Sequence, residues 1–364
     1  MTRIPAVLAG PRRAGLCKVL AAILVQAAAA AAGAFATRAL FGALHMADSL
    51  PLTAALILAG SGFGIAMARV LAQLAGERVG QSYALAIRCA LWDHGTRASA
   101  SSVAARRQGY TSLRFVGDMT AFRNWAGRGL PRLMSAMVLI PATLAVLGAL
   151  HMPFLIAVAP IYGLALAIIL IGGLTMPAKQ RQLRAKRASL AADMAERMPV
   201  APHLGALGRR RTEHRNLFRK SEKMIRSALS ATRLRASLRA VCDAAAGRAA
   251  LAVILSGAHS GAQTATIAAG LAALGLALAP MRQIAGVWTM WSAFRVAHAK
   301  VQSLLDRPSD RASGPGRTLP SNALSVTMRG VSSGPVQGLE LEVPAGAVLR
   351  LTGQNGAGKS HLLA

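Results

Sequence analysis

From Leu133 to Ala178 the chain carries no Asp, Glu, Lys or Arg, a run of 46 residues. Such a run is too long for a single membrane crossing, since ~20 residues of helix cover the ~30 Å of a bilayer's hydrocarbon. His151, Met152 and Pro153 interrupt it, so it reads as two spans joined by a tight turn. Moving from charge to charge in the same way places earlier spans at Val19 to Thr37 and Ser49 to Ala68. Two later spans share the uncharged stretch from Ala249 to Met281, which Ser256 to Gly261 break. The fifth starts near Val241 and the sixth runs from about Thr264 to Met281. Asp243 and Arg248 lie in or beside the fifth and must snorkel or face protein. Arg12, Arg13 and Lys18, followed by an apolar run ending in Ala34-Phe35-Ala36, have the outline of a cleavable signal peptide. The uncharged 19 residues from Val19 to Thr37 outlast an ordinary signal core and suit a span.

Charge distribution sets the topology. Charged residues are 15% of the chain, against about a quarter in soluble domains, and hydrophobic ones 54%. The net charge of +29 invites a nucleic-acid reading, but aromatics are only 4%, too few for stacking platforms. With six spans, all but one of the 42 Lys and Arg residues fall on one side, the exception being Arg38. The positive-inside rule makes that side cytoplasmic. The expectation is therefore an inner-membrane, multi-pass protein. Residues 1–18, the long loops 69–132 and 177–248, and the C-terminus are cytoplasmic, and no nucleic acid is a partner. Cys17, Cys89 and Cys242 are too scattered for a disulfide framework or zinc site.

Both long loops have helical pattern. Val70, Leu71, Leu74, Val79, Tyr83, Ile87 and Leu91 recur at spacings of three and four, which continues the second span outward as helix. Ala98 to Tyr110 reads as its turning point. The second loop goes out through Lys179 to Arg197, turns around Pro199 to Gly208, and returns through Arg211 to Arg239. Small residues crowd the first two spans, with six alanines from Ala27 to Ala32 and a GxxxG pair at Gly60 and Gly64. They fit a close helix seam or composition alone.

After Asp306 the composition changes. Pro308, Gly314, Pro315, Gly316 and Pro320 make residues 306–321 a linker. Leu324 to Met328, Leu339 to Val343 and Val348 to Leu351 then read as short strands. The last leads into Gly353, Gln354, Asn355, Gly356, Ala357, Gly358, Lys359 and Ser360, a complete GxxxxGKS. Strand, glycine loop and helix start come in the order phosphate binding needs. The glycines free backbone N–H groups, Lys359 reaches the β- and γ-phosphates, and Ser360 holds Mg²⁺ through the nucleotide. ATP and Mg²⁺ are thus the expected cofactors, with His361 next to the loop on the exposed start of the helix.

On these residues the chain resembles an ABC transporter of the exporter half-transporter type. Glu342-Val343-Pro344-Ala345-Gly346, the strand and Gly353 to Ser360 are similar to the opening of its nucleotide-binding domain. Gly109 to Trp125 and Glu196 to Glu213 are similar to its two intracellular loops. The resemblance implies an all-α membrane domain of six transmembrane helices over 19–305, then the first strands and P-loop of an α/β NTPase domain over 322–364. It also implies a homo- or heterodimer in lipid, with coupling helices at Ala98 to Tyr110 and Pro199 to Arg210, exporting an unidentified substrate on ATP binding and hydrolysis. Position 361 departs from the family, where Thr is common. No aromatic stands at Val331 to Gly334, where an adenine platform is expected, and no LSGGQ, Walker B or switch histidine follows Ser360. The expectation is a chain truncated after Walker A, with no catalytic residue and no ATPase of its own. The alternatives are an inactive membrane scaffold or dominant-negative partner of full-length transporters, and a permease with a chance P-loop. The lack of a charged ladder in the spans favours amphipathic or apolar cargo.

Overall fold

A computed structural model describes residues 4–46, 49–96, 119–306, 323–333, 335–359 and 362. The chain divides into two compact units, one of residues 5–85 and 120–299, the other of 1–4, 86–119 and 300–364. The helices are α1 (Pro11–Met46), α2 (Leu52–Gly95), α3 (Met119–Leu150), α4 (Met152–Arg197), α5 (Ala201–Ala206), α6 (Arg210–His259) and α7 (Thr264–Leu305). Two strands follow, β1 (Val326–Ser333) and β2 (Val336–Val343), paired antiparallel. Five helices, α1 to α4 and α7, are long and apolar enough to cross a membrane, which makes this a multi-pass membrane protein. α6 is not among the five.

Local chemistry explains where the helices end. His151 leaves α3 in an extended conformation, its N–H donating to Leu147 O at 2.9 Å, and Pro153 starts α4 where a missing N–H costs nothing. α6 stops at Gly261, whose φ of 68° suits glycine, while the Ala262 N–H returns to Gly257 O at 2.9 Å. Gly208, also at φ 68°, does the same after α5, with the Arg209 N–H on Leu204 O at 3.0 Å. His151 Nε2 lies 2.7 Å from Ser260 Oγ, so the α3–α4 and α6–α7 turns sit at one level. The Ser260 hydroxyl donates to Ser256 O at 2.6 Å, which leaves the imidazole as donor to Ser260.

Two features hold the helical unit together. The core of α3, α4, α6 and α7 buries Leu147, Phe154, Ile169, Cys242, Val253 and Met281 completely or nearly so. On α6 the buried Cys242, Ala245, Ala249, Val253 and Gly257 make one stripe at spacings of three and four. Second, α2 and α3 cross backbone to backbone. A Cβ on Gly80 would stand 2.6 Å from Arg123 O and 3.0 Å from Gly127 Cα, and one on Gly76 2.6 Å from Gly127 O. The chain makes this approach beside a π-turn, Trp125–Gly129, which carries Trp125 into a cluster with Phe294 and Trp291. Of the small residues in the first two spans, Gly33 meets Ser61 and Gly64 meets Ala29, whereas Gly60 faces open space.

The C-terminal segment holds a two-stranded hairpin. Val326 pairs with Val343 and Met328 with Leu341. Val348 to Leu351, expected as a third strand, is not one: its alternation suits a strand, but among the described residues no neighbour supplies the ladder of hydrogen bonds. The linker 306–321 lies outside the described residues beyond Asp306.

Candidate functional site

The glycine loop follows β2 in sequence, after a turn at Gly346 (φ 79°). Gly356 and Gly358 take φ values of 91° and 90°, conformations that side chains with a Cβ rarely adopt. Gly358 is also packed closely: a Cβ there would lie 2.8 Å from both Pro335 and Val336, so the start of β2 sets the back of the loop. The Ala357 N–H donates to Gln354 O at 3.2 Å. Among the described residues the N–H groups of Gly356 and Gly358 have no hydrogen-bond acceptor. Lys359 folds back over the loop, its Nζ donating to Gly353 O at 2.7 Å and Gln354 O at 2.8 Å.

The result is a curl of backbone from Gly353 to Lys359, exposed as far as Ala357, with an ammonium group drawn over it. Free N–H groups beside a held cation are groups that a phosphate oxygen can use. Gly353, Gln354, Asn355, Gly356, Ala357, Gly358 and Lys359 are brought together in this curl. Ser360 and His361 lie outside the described residues. Among the described residues no group of His, Cys, Asp and Glu is placed to hold a metal ion.

A second cluster sits at the far end of α4 and α6, where the Pro199 to Arg210 coupling region was expected. Asp193, buried in a strongly basic stretch, accepts from Lys220 Nζ at 2.5 Å and from Arg197 Nε at 3.1 Å. Arg197 also pairs with Glu213, which Arg209 approaches to 3.6 Å. The hydrogen bond from Lys220 holds the Asp193 carboxyl below the usual carboxylate range, against the opposing effect of burial and with the help of the Arg197 charge. Beside this network a groove of about 310 Å³ is lined by Met194, Met198, Leu204, Glu213, His214 and Leu217 among others. Met198 and Leu207 on the tip are 67% and 73% exposed. Sequence reading missed the Asp193 network because its partners come from opposite arms of the loop. The signal was a few acids, Asp193, Glu196, Glu213 and Glu222, among many arginines. The other turning region, Ala98 to Tyr110, lies outside the described residues.

No protein-family model matches this chain, and no curated protein matches it.

Proposed function

We propose that the chain is the membrane domain of an ATP-driven exporter subunit together with the opening of its nucleotide-binding domain, with six spans that include the outer part of α6. The observation that carries this reading is the order of parts: long apolar helices, three of them (α2, α4 and α7) more than 40 residues long, then a Pro- and Gly-rich linker, then a hairpin and a complete GxxxxGKS. The basic loops and the C-terminus are cytoplasmic, because nearly all the cationic residues outside the spans, Arg38 excepted, lie on that side of a six-span topology. Two such subunits work as a homo- or heterodimer in lipid. The tip formed by α5, with exposed Met198 and Leu207, receives the motor's movement.

In the loop, the N–H groups of Gly356 and Gly358 bind phosphate oxygens. Lys359 exchanges its two carbonyl acceptors for the β- and γ-phosphates, and Ser360 holds the magnesium. Bound Mg·ATP supplies the transferable phosphoryl group. The chain's residues bind and orient it.

The test is photolabelling of the purified chain with an azido-ATP. Lys359→Ala should weaken labelling by about tenfold, the worth of one charge-assisted contact to phosphate, without altering the helical unit's melting. Equal labelling of both chains would refute the reading. Sequencing the coding DNA past codon 364 separates it from the scaffold alternative: an LSGGQ and a Walker B motif downstream support the exporter, and unrelated sequence supports the scaffold.

A further inference from the structure

Among the described residues no oxygen accepts a hydrogen bond from Arg132, a half-buried arginine on α3. Its contact is with a thioether, Nη1 lying 3.8 Å from Met290 Sδ of α7. One turn nearer the membrane centre on α7, a Cβ on Gly286 would stand 3.5 Å from the same nitrogen and would meet no other side chain. The guanidinium therefore edges an open position. Arg132 immediately precedes the uncharged run that starts at Leu133, and Arg282 follows the run that ends at Met281. Both stand at the edge of the hydrocarbon on the side of the basic loops.

α6 brings a second guanidinium to this level. The ion pair of Asp243 Oδ1 with Arg282 Nη2, at 2.5 Å, sets α6 and α7 in register. The two helices run antiparallel, so one turn further toward the basic loops Arg239 of α6 stands level with Gly286 of α7. Arg239 also points the right way: it lies about five whole turns from Gly257, which Ile267 of α7 touches, and so on the side of α6 that α7 covers. The charges that act on Arg132 are those of Arg128 and Arg239, both positive. No carboxylate is left for Arg132 or Arg239. α3 and α7, residues 119–150 and 264–305, contain no Asp or Glu, Asp243 holds Arg282, and Glu77 of α2 pairs with Arg123 and Arg128. Thr289, three residues past Gly286, keeps a buried hydroxyl oxygen with no partner among the described residues.

Two guanidiniums that repel each other at the edge of the hydrocarbon call for an anion, and the phosphate groups of the bilayer lie at that depth. We propose that Arg132 and Arg239, with the open position at Gly286 between them, bind the phosphate of an anionic phospholipid in the leaflet on the side of the basic loops. Guanidinium forks match phosphate oxygens, whereas a zwitterionic headgroup brings an ammonium of its own to a site that is already positive. The site requires α3 and α7 to lie in the membrane. It requires neither transport nor the glycine loop.

The experiment places the full chain in phosphatidylcholine nanodiscs and replaces a rising share of the lipid with bromine-tailed phosphatidylglycerol, or with phosphatidylcholine carrying the same tails. Quenching of the tryptophans, Trp288 beside Gly286 among them, reads occupancy. Phosphatidylglycerol should quench at a lower share than its counterpart and should saturate. Arg132→Gln should weaken that preference by about tenfold, because a charge-assisted contact is lost, and exposed Arg239→Gln by less. Gly286→Leu, which fills the open position and keeps both charges, should weaken it too, and it serves as the independent variant if Arg132→Gln does not fold. Arg181→Gln removes an exposed charge from α4 near the same boundary and should leave the preference as in the parent. Equal quenching by the two lipids in the parent overturns the proposal, as does parent-like preference in Gly286→Leu together with either arginine variant. An equal loss in Arg181→Gln would assign the effect to the basic surface as a whole, and displacement of the lipid by excess inorganic phosphate would assign the cations to a free anion. Either result overturns the lipid site. Nucleotide labelling through Lys359 is read separately, so failure of the motor reading and failure of this site remain distinct.

Discussion

On α4, Leu164, Ile168, Ile171 and Leu174 are exposed, while Ala165, Ile169, Gly173 and Met176 on the same turns are buried. In the C-terminal segment, Val348 is 99% exposed, Leu349 beside it is also exposed, and no residue from 344 to 350 is buried. Both regions show apolar surface, but the helix has one face packed by protein and the other left for lipid. The segment leading to the glycine loop has neither face packed. A helix satisfies its own backbone and needs only one covered stripe, whereas a strand needs a neighbour for its hydrogen bonds as well as for its side chains. The helical unit should therefore respond strongly to changes at its contacts, and the stretch before the loop should scarcely respond.

The largest effect should come from Gly80, where a side chain would strike the backbone of α3 rather than a movable group. Gly80→Leu is expected to cost about 3 kcal/mol by overpacking, and Gly80→Ala about 1 kcal/mol, read as reversible unfolding in mixed micelles. Parent-like stability of Gly80→Leu would show that this crossing is not tightly packed. At the loop tip, Asp193→Asn removes the negative charge from the acceptor shared by Lys220 and Arg197, so trypsin should cut at Arg209 to Arg211 faster than in the parent.

The same site gives a pH prediction. The Asp193 carboxyl is held below its unfolded value, so its contribution is complete above that value, near pH 4, and is lost as pH falls through the lower folded pKa. A spin-label distance between Ala192 and Lys223 should lengthen only on that acid side, and Asp193→Asn should remove the transition. The smallest effect belongs to Val348→Ser, which should change stability by no more than about 0.5 kcal/mol, because Val348 packs against nothing among the described residues.

Much of the helical architecture was legible in advance for local reasons. His151 to Pro153 marked the turn between α3 and α4, and the Ser256 to Gly261 break falls at the end of α6, because proline and glycine act through their own backbone. The second long loop's turn, around Gly208, was legible for the same reason. The third strand, Val348 to Leu351, was misread because alternation reports what a segment suits and says nothing of whether a partner is present. In the candidate site, the identities from Gly353 to Lys359 were readable from the motif. The fold of Lys359 onto the carbonyls of Gly353 and Gln354 was not, since it depends on how the loop closes.

The sequence by itself determined which segments can lie in lipid, since ionised groups are excluded from mid-bilayer and the uncharged runs are long. It also determined where the chain can turn and where a phosphate loop can form. Only the tertiary structure decided which faces meet: Gly80 on Gly127, Asp193 on Lys220 across the loop, and Asp243 on Arg282. Helical periodicity fixes a residue's direction around its own axis. The rotation and register of one helix against another come from packing between distant segments, which no local pattern records.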